Sequence, residues 1–265
     1  MLDIHSCFLT CRGLLSAVME GNEYTAAHGY EILMDANTMD AYSASFMAQR
    51  LKALKRRCGF LTFHAPFFDL SPGGLDMRIR QVSHERLLQM ADVANLVVPA
   101  NIVLHTGYTR EMYGHGKMYH HWKHHVCDIL HRLLEQLNPS VTISVENVFE
   151  ADPAPLVDVV SAVNNPRLGY CLDVGHSRLF GQTSHGQWIE AFAEKLFEVH
   201  LHDNHGVGDD HLPCGQGNID FSAILEALDQ HDLQPILTFE VLTEAAFQEA
   251  VLYLEQLNKG AASRG

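Results

Sequence analysis

The sequence predicts a single-domain α/β fold, an eight-stranded (β/α)8 barrel, on three observations. Short apolar stretches alternate along the chain with stretches carrying apolar residues at helical spacing, eight of each. The 265 residues, 47% of them hydrophobic, come close to the roughly 250 typical of such a barrel and can bury one large core. Six of the apolar stretches end on His, Asp or Glu, and strand ends at the C-terminal mouth are where these barrels carry their chemistry.

Taken in order, residues 2–9 read as the first strand and 14–27 as a helix. Residues 29–35 are a second strand, and 43–57 a helix with apolar spacing through Phe46, Met47, Leu51 and Leu54. Strand three, 59–66, ends at His64 because Pro66 forbids much extension. After a Ser-Pro-Gly-Gly turn, 76–96 is a long helix with Ile79, Val82, Leu87 and Met90 as its buried stripe. Strand four, 101–105, closes on His105, and the helix 119–137 stops at Asn138-Pro139. Strand five, 141–147, is followed by the helix 155–163, and strand six, 168–173, by a turn to His176. A helix at 187–194 leads into strand seven, which begins at Phe197 and turns polar at His200 and His202; the next helix is 219–230. Strand eight, 235–241, precedes a closing helix, 243–257, with Thr243 as N-cap and Gly260 beyond its end. The barrel is expected over 1–259, with 260–265 a flexible C-terminal tail.

Strand side chains alternate between faces, so Thr142, Ser144 and Glu146 share one face of strand five, as do Gly169, Cys171 and Asp173 in strand six and Ile236, Thr238 and Glu240 in strand eight. Each acid comes last, at the mouth. His64, His105, Glu146, Asp173, His200 and Glu240 are therefore expected to converge on one cavity. Three inward carboxylates at close range would repel or take up protons, and a divalent metal with imidazole co-ligands removes that penalty.

These residues carry a resemblance. In order, His64-Ala-Pro66, His105, Glu146-Asn147, Asp173-x-x-His176, His200-Leu-x-Asp203, Asp209-x-His211-x-x-x-Gly215-x-Gly217 and Glu240 resemble the xylose-isomerase-like TIM-barrel superfamily. That superfamily includes endonuclease IV (AP endonuclease family 2) and sugar or sugar-phosphate isomerases and epimerases. The resemblance to ketohexose epimerases implies one metal held by Glu146, Asp173, His200 and Glu240. The resemblance to endonuclease IV implies three zincs held by those four with His64, His105, His176, Asp209 and His211. The implied cofactor is thus one to three divalent ions, Zn2+ or Mn2+.

Two activities follow as expectations. In an isomerase or epimerase, Glu146 and Glu240 would take and return a proton on opposite sides of an enediolate, as the resemblance suggests, with His176 orienting or shuttling. In the alternative, a phosphoester hydrolase, metal-activated hydroxide would attack a phosphodiester. The additional ligands favour the hydrolase. Charge favours the isomerase, because a formal net charge of −14 and mouth acids Asp203, Asp209 and Asp210 oppose a polyanion such as nucleic acid. The expected partner is a small sugar or sugar phosphate, with Arg110, Lys117 and Arg178 as candidate holders of a phosphate or carboxylate. Tyr108, Tyr113 and Tyr119 are candidate pocket walls, and Trp188 a core residue. His120, His121, His124 and His125 form two i,i+4 pairs on one helix that could bind a surface metal but read first as a solvated or interface face, and a homo-oligomer is among the expected partners. Six scattered cysteines, no signal-like N-terminus and no apolar run of spanning length predict reduced thiols in a cytoplasmic protein with no membrane segment.

Overall fold

The computed structural model describes residues 7–10, 14–21, 29–114 and 116–262. Parallel strands β1 (Cys7–Thr10), β2 (Gly29–Leu33), β3 (Leu61–His64), β4 (Asn101–His105), β5 (Thr142–Glu146), β6 (Leu168–Asp173), β7 (Leu196–Leu201) and β8 (Ile236–Phe239) pair in chain order, and β8 pairs back to β1. The barrel is closed. Around it run α1 (Leu14–Glu20), α2 (Ala36–Ala41), α3 (Ala44–Cys58), α4 (Met77–Val97), α5 (Arg110–Tyr113), α6 (Gly116–Gln136), α7 (Ala154–Val163), α8 (Val174–Leu179), α9 (His185–Phe192), α10 (Phe221–Gln230) and α11 (Glu244–Ala262). Residues 1–6, 11–13 and 22–28, parts of the expected first strand, first helix and their connections, lie outside the described residues.

Caps decide where several elements begin. Ser43 Oγ accepts from Phe46 N–H at 3.3 Å to start α3, which ends at Gly59, not in a strand, because Gly59 has φ 81°. Asp76 Oδ1 accepts from Arg78 N–H and Ile79 N–H at 2.7 and 3.3 Å to start α4. Thr243 Oγ1 accepts from Ala246 N–H at 3.1 Å, as a cap should. The final helix then continues through Gly260 to Ala262, past the expected end. A lone helical glycine costs only about 1 kcal/mol and is not a stop by itself. The short helices α2 and α8 went unforeseen because Asp35 and Asp173, which close strand-side segments, also cap them.

The apolar core lies between the outer face of the sheet and the helices. Ile102, Leu104, Ile143, Val145, Leu172, Val199 and Phe239 are buried there against Met90, Leu130, Val160 and Leu228, and Trp188 is wholly buried as expected. Two expected core positions are corrected, and a third apolar side chain also lies outside the core. Ile79 and Val82 are 52% and 49% exposed, and Phe46 is also exposed. The first turns of α4 pack on the preceding loop through polar groups: Ser83 Oγ accepts from Ser71 N–H, and His84 Nε2 meets the Pro72 carbonyl, both within 2.9 Å. The buried stripe therefore starts at Ser83 and His84 and runs on through Leu87, Met90, Ala91 and Ala94.

Inside the barrel much of the filling contributed by the described residues is polar, where branched apolar layers are usual. Thr62 Oγ1 donates to Glu31 at 3.1 Å, and Asn101 Nδ2 donates to Glu198 at 2.7 Å and to Ser144 at 2.9 Å. Thr238 also donates to Glu198. Pairing register then lays His105 beside Glu146 and Asp173 beside His200. Among the described residues, Cys58, Cys127 and Cys171 carry free thiols, and no helix is long and apolar enough to cross a membrane.

Ile143→Ala is expected to lower unfolding stability by about 2–5 kcal/mol, whereas Ile79→Ala should stay within about 0.5 kcal/mol of the parent. Chemical denaturation of both variants checks the placement of the two side chains.

Candidate metal centre and active site

The strand ends of β3 to β8 deliver their polar residues to one place. Glu146 sits at its middle: Oε2 is 3.2 Å from His64 Nε2 and 3.0 Å from His105 Nε2, and Oε1 is 3.3 Å from His176 Nδ1. Burial raises the Glu146 carboxyl, but the charges of His105 and His200 outweigh it and hold the group well below the usual carboxylate range. Burial alone would lower the His64 ring, yet the bonded Glu146 carries it up to about 9. His105 goes down, because its burial outweighs the same carboxylate. An imidazole kept neutral is ready to ligate.

Asp173 is fixed from three directions. It caps α8 by accepting from His176 N–H at 2.6 Å, it meets His202 Nε2 at 3.1 Å, and its backbone pairs reciprocally with the Asn147 side chain at 2.8 and 2.9 Å. Burial would raise its carboxyl, and His176 and His202 bring it down to about 2. His202 can come this close because residue 175 is glycine: a Cβ there would lie 2.0 Å from His202 Cε1. Partners of this kind orient ligands in metal sites.

His200 tests whether a cation fits. The ring is fully buried and neither nitrogen has a hydrogen-bond partner, an arrangement costing about 1–3 kcal/mol if left unmet. Nδ1 nevertheless stands 3.2 Å from Glu240, 3.7 Å from Glu146 and 3.8 Å from Asp173. One orphaned imidazole nitrogen ringed by carboxylates is a donor set for a divalent ion. Asp173 with His200 and Glu240, Glu146 with Asp173 and His176, and His64 with His105 and Glu146 each bring ligand atoms within 4.8 Å of one another. The residues fit a divalent metal.

The loop after β7 adds Asp209 and His211. His211 Nε2 meets Asp209 Oδ2 at 3.0 Å, Nδ1 meets the Glu240 carbonyl at 2.8 Å, and His176 Nε2 is 3.6 Å from Asp209. His211 has φ 48°, a conformation that must be held by its surroundings. Asp203 does the holding. Its buried carboxylate accepts backbone N–H groups of Asn204, Gly215, Gly217 and Ile219 at 2.8–3.1 Å, and its backbone bridges Leu212. Residue 217 must be glycine, since a Cβ would fall 2.3 Å from Asp203 Oδ1.

All nine expected ligands thus meet. A cavity of about 360 Å³ opens above them, lined by His64, His105, Glu146, His176, Asp209, His211 and Glu240, with Tyr108 in its wall. Arg110, Lys117 and Arg178 are exposed and outside that lining; Tyr113, which is buried, and Tyr119, which is partly buried, are outside it too. On α6, His121 and His125 rings touch at 4.5 Å, away from the cavity. Sequence reasoning gave no role to Asn147, Glu150, Glu31 or Glu198. Glu150 lines the cavity, its carboxyl pushed by burial up to about 7 while it accepts Val148 N–H at 2.7 Å. The alternation Glu198-x-His200-x-His202 was the available signal for Glu198.

Such a site defines a class: a (β/α)8 barrel whose C-terminal mouth gathers acids and imidazoles that could hold a divalent ion. The chain belongs to the xylose isomerase-like TIM barrel family, whose model matches residues 23–257. Among its relatives, the uncharacterized protein MJ1311 of Methanocaldococcus jannaschii is 26% identical over 272 residues, covering 93% of this chain and 82% of the relative. A D-tagatose 3-epimerase-like protein shares the fold with a TM-score of 0.80 at 23% identity, over 96% of this chain and 99% of that one. The TTHB071 protein from Thermus thermophilus, in crystals soaked with ZnCl2, gives 0.73 at 24% identity, over 98% and 99%.

Two outcomes are expected. The His64 and His211 rings rise from 6.5 to about 9 on folding, so their stabilisation is complete below pH 6.5 and is lost as pH climbs through about 9; metal ligation needs the same rings deprotonated. The melting temperature of metal-free protein should therefore fall from pH 6.5 to 9 while Zn2+ affinity rises, and calorimetric titration across that range reads both. Asp203→Asn should weaken the part of metal binding that depends on Asp209 and His211 by roughly 10–100-fold, seen as a selective loss in a competitive chelator titration.

Proposed function

We propose that this protein is a metal-dependent sugar isomerase or epimerase that transfers a proton through an enediolate. The observation that carries the reading is the placement of two carboxylates from well-separated strands about one ring: Glu240 and Glu146 lie 3.2 and 3.7 Å from His200 Nδ1, below one cavity. When bound, a divalent ion would withdraw electron density from the sugar carbonyl and acidify the neighbouring C–H. Asp173, His200, Glu146 and Glu240 would hold it.

The chain's own residues supply the proton path. One of Glu146 and Glu240 removes the carbon-bound proton from one side of the sugar, and the other returns a proton from the opposite side; return at the same carbon epimerises and at its neighbour isomerises. His176 bridges Glu146 and Asp209 at 3.3 and 3.6 Å and so steadies the first acid. The half-buried surroundings limit water and the loss of the abstracted proton to it.

A phosphoester hydrolase with several zincs is the second reading. The presence of His64, His105, Asp209 and His211 around the same cavity favours it, since one metal needs fewer donors. The cavity's chemistry speaks against it: among the described residues no lysine or arginine lines the cavity to hold a phosphate chain, while Glu150 and Asp209 do line it.

Incubating the manganese-loaded protein with candidate ketoses in deuterated solvent should place deuterium on the sugar carbon, and Glu240→Gln should slow that exchange by roughly 100-fold or more. Mass spectrometry of the recovered sugar reads both; cleavage of a phosphodiester without any exchange would favour the hydrolase.

A further inference from the structure

We infer that the ligand taken at this mouth is an uncharged ketosugar bearing an apolar substituent remote from its reacting carbons. The inference deepens the isomerase reading and rests on it for the sugar half of the ligand.

The cavity is two-faced. Its floor is the acid and imidazole cluster, whereas the wall built by the segments after β3, β4 and β5 sets Phe67, Leu70, Tyr108, Val148 and Phe149 beside Thr106, Gly107, Thr109 and Glu150. Several rings at this rim are held out to solvent instead of folding into the core. Phe149, 47% exposed, packs edge-on against Phe180 with centroids 4.9 Å apart, and Phe67 packs on the exposed Phe68 at 4.2 Å. Ring-on-ring contacts fix these side chains in place, so the wall is formed before any ligand arrives. Exposed apolar groups gathered at a concave site mark where an apolar ligand surface is to be covered.

A bare hexose offers a hydroxyl on nearly every carbon and would set several of them against the aromatic and aliphatic carbon of this wall, which has only Thr106, Tyr108, Thr109 and Glu150 to meet them. The floor, by contrast, has donors and acceptors enough for the reacting end. A volume of about 360 Å³ falls in the range that accepts drug-sized molecules, leaving space beside a six-carbon sugar for an aryl or alkyl group. An anionic substituent is the poorer fit. The acids Glu150 and Asp209 line the cavity, and among the described residues no lysine or arginine does.

The test is binding, read by calorimetry on manganese-loaded protein and independent of turnover. Each D-ketohexose is compared with its 6-O-benzyl ether and its 6-phosphate. For at least one sugar the benzyl ether should bind roughly tenfold or more tightly than the parent, and the phosphate should gain nothing. In Phe149→Ser and in Leu70→Ser the benzyl-to-parent ratio should fall toward one; because Phe149 is largely exposed, its replacement leaves the fold intact, which a melting curve verifies. No benzyl preference in any pair, a phosphate bound most tightly, no binding of any form, or a ratio unchanged in both variants overturns the inference. Benzyl preference without deuterium exchange in any bound sugar would remove the isomerase reading and leave the ligand's shape standing.

Discussion

Burying a carboxylate far from water requires a compensating charge at the same place, and that requirement organises the upper half of this barrel. Glu146, Asp173 and Glu240 stand together with little access to solvent, and each is met by imidazole: His64, His105 and His176 on Glu146, His176 and His202 on Asp173, His200 on Glu240. His64, His176 and His200, whose rings these carboxylates hold in the protonated form, offset the acids in the metal-free chain, while burial keeps His105 neutral. A divalent ion does the same with fewer protons, so proton and metal are alternative occupants of one electrostatic well.

The scaffold's task is to keep those groups from rearranging. It does so with hydrogen bonds that carry no chemistry of their own. Asn147 links the mouths of β5 and β6 by exchanging two bonds with the Asp173 backbone. Asp203 gathers four N–H groups so that a long irregular loop returns His211 over Glu240. Below the cluster, Glu31 and Glu198 take the barrel centre that branched apolar residues usually fill, and Nε2 of His200 faces Glu31 at 3.4 Å. Polar filling thus extends from the reactive layer down into the barrel, and a substitution beneath the site can be felt at it.

Much of this was legible in the residue order. Strand spacing and terminal acids gave the barrel, its direction and six of the residues gathered at its mouth, because alternation in a strand commits every second side chain to the interior; His176, Asp209 and His211, which lie beyond the strands, came only from the family resemblance. Helix burial was read less well. Ile79 and Val82 have the right spacing, but the partner surface changes from sheet to loop along α4, and periodicity carries no information about the partner. Arg110, Lys117 and Arg178 follow strands whose ends bear site residues, yet proximity in sequence does not turn a side chain into the cavity. Asn147, Glu150 and Glu198 were passed over because their roles depend on neighbours brought in by other strands, namely Asp173, Thr106 and Asn101.

Every functional statement depends on acids and imidazoles being arranged to hold an ion. Elemental analysis of protein purified without chelator measures that directly, by counting divalent metal per chain. The account predicts at least one tightly held ion, zinc or manganese, that dialysis leaves in place and that is lost when Glu146 and Asp173 are both changed to their amides. A chain that folds, keeps its melting transition and binds no divalent ion even with excess metal would contradict it.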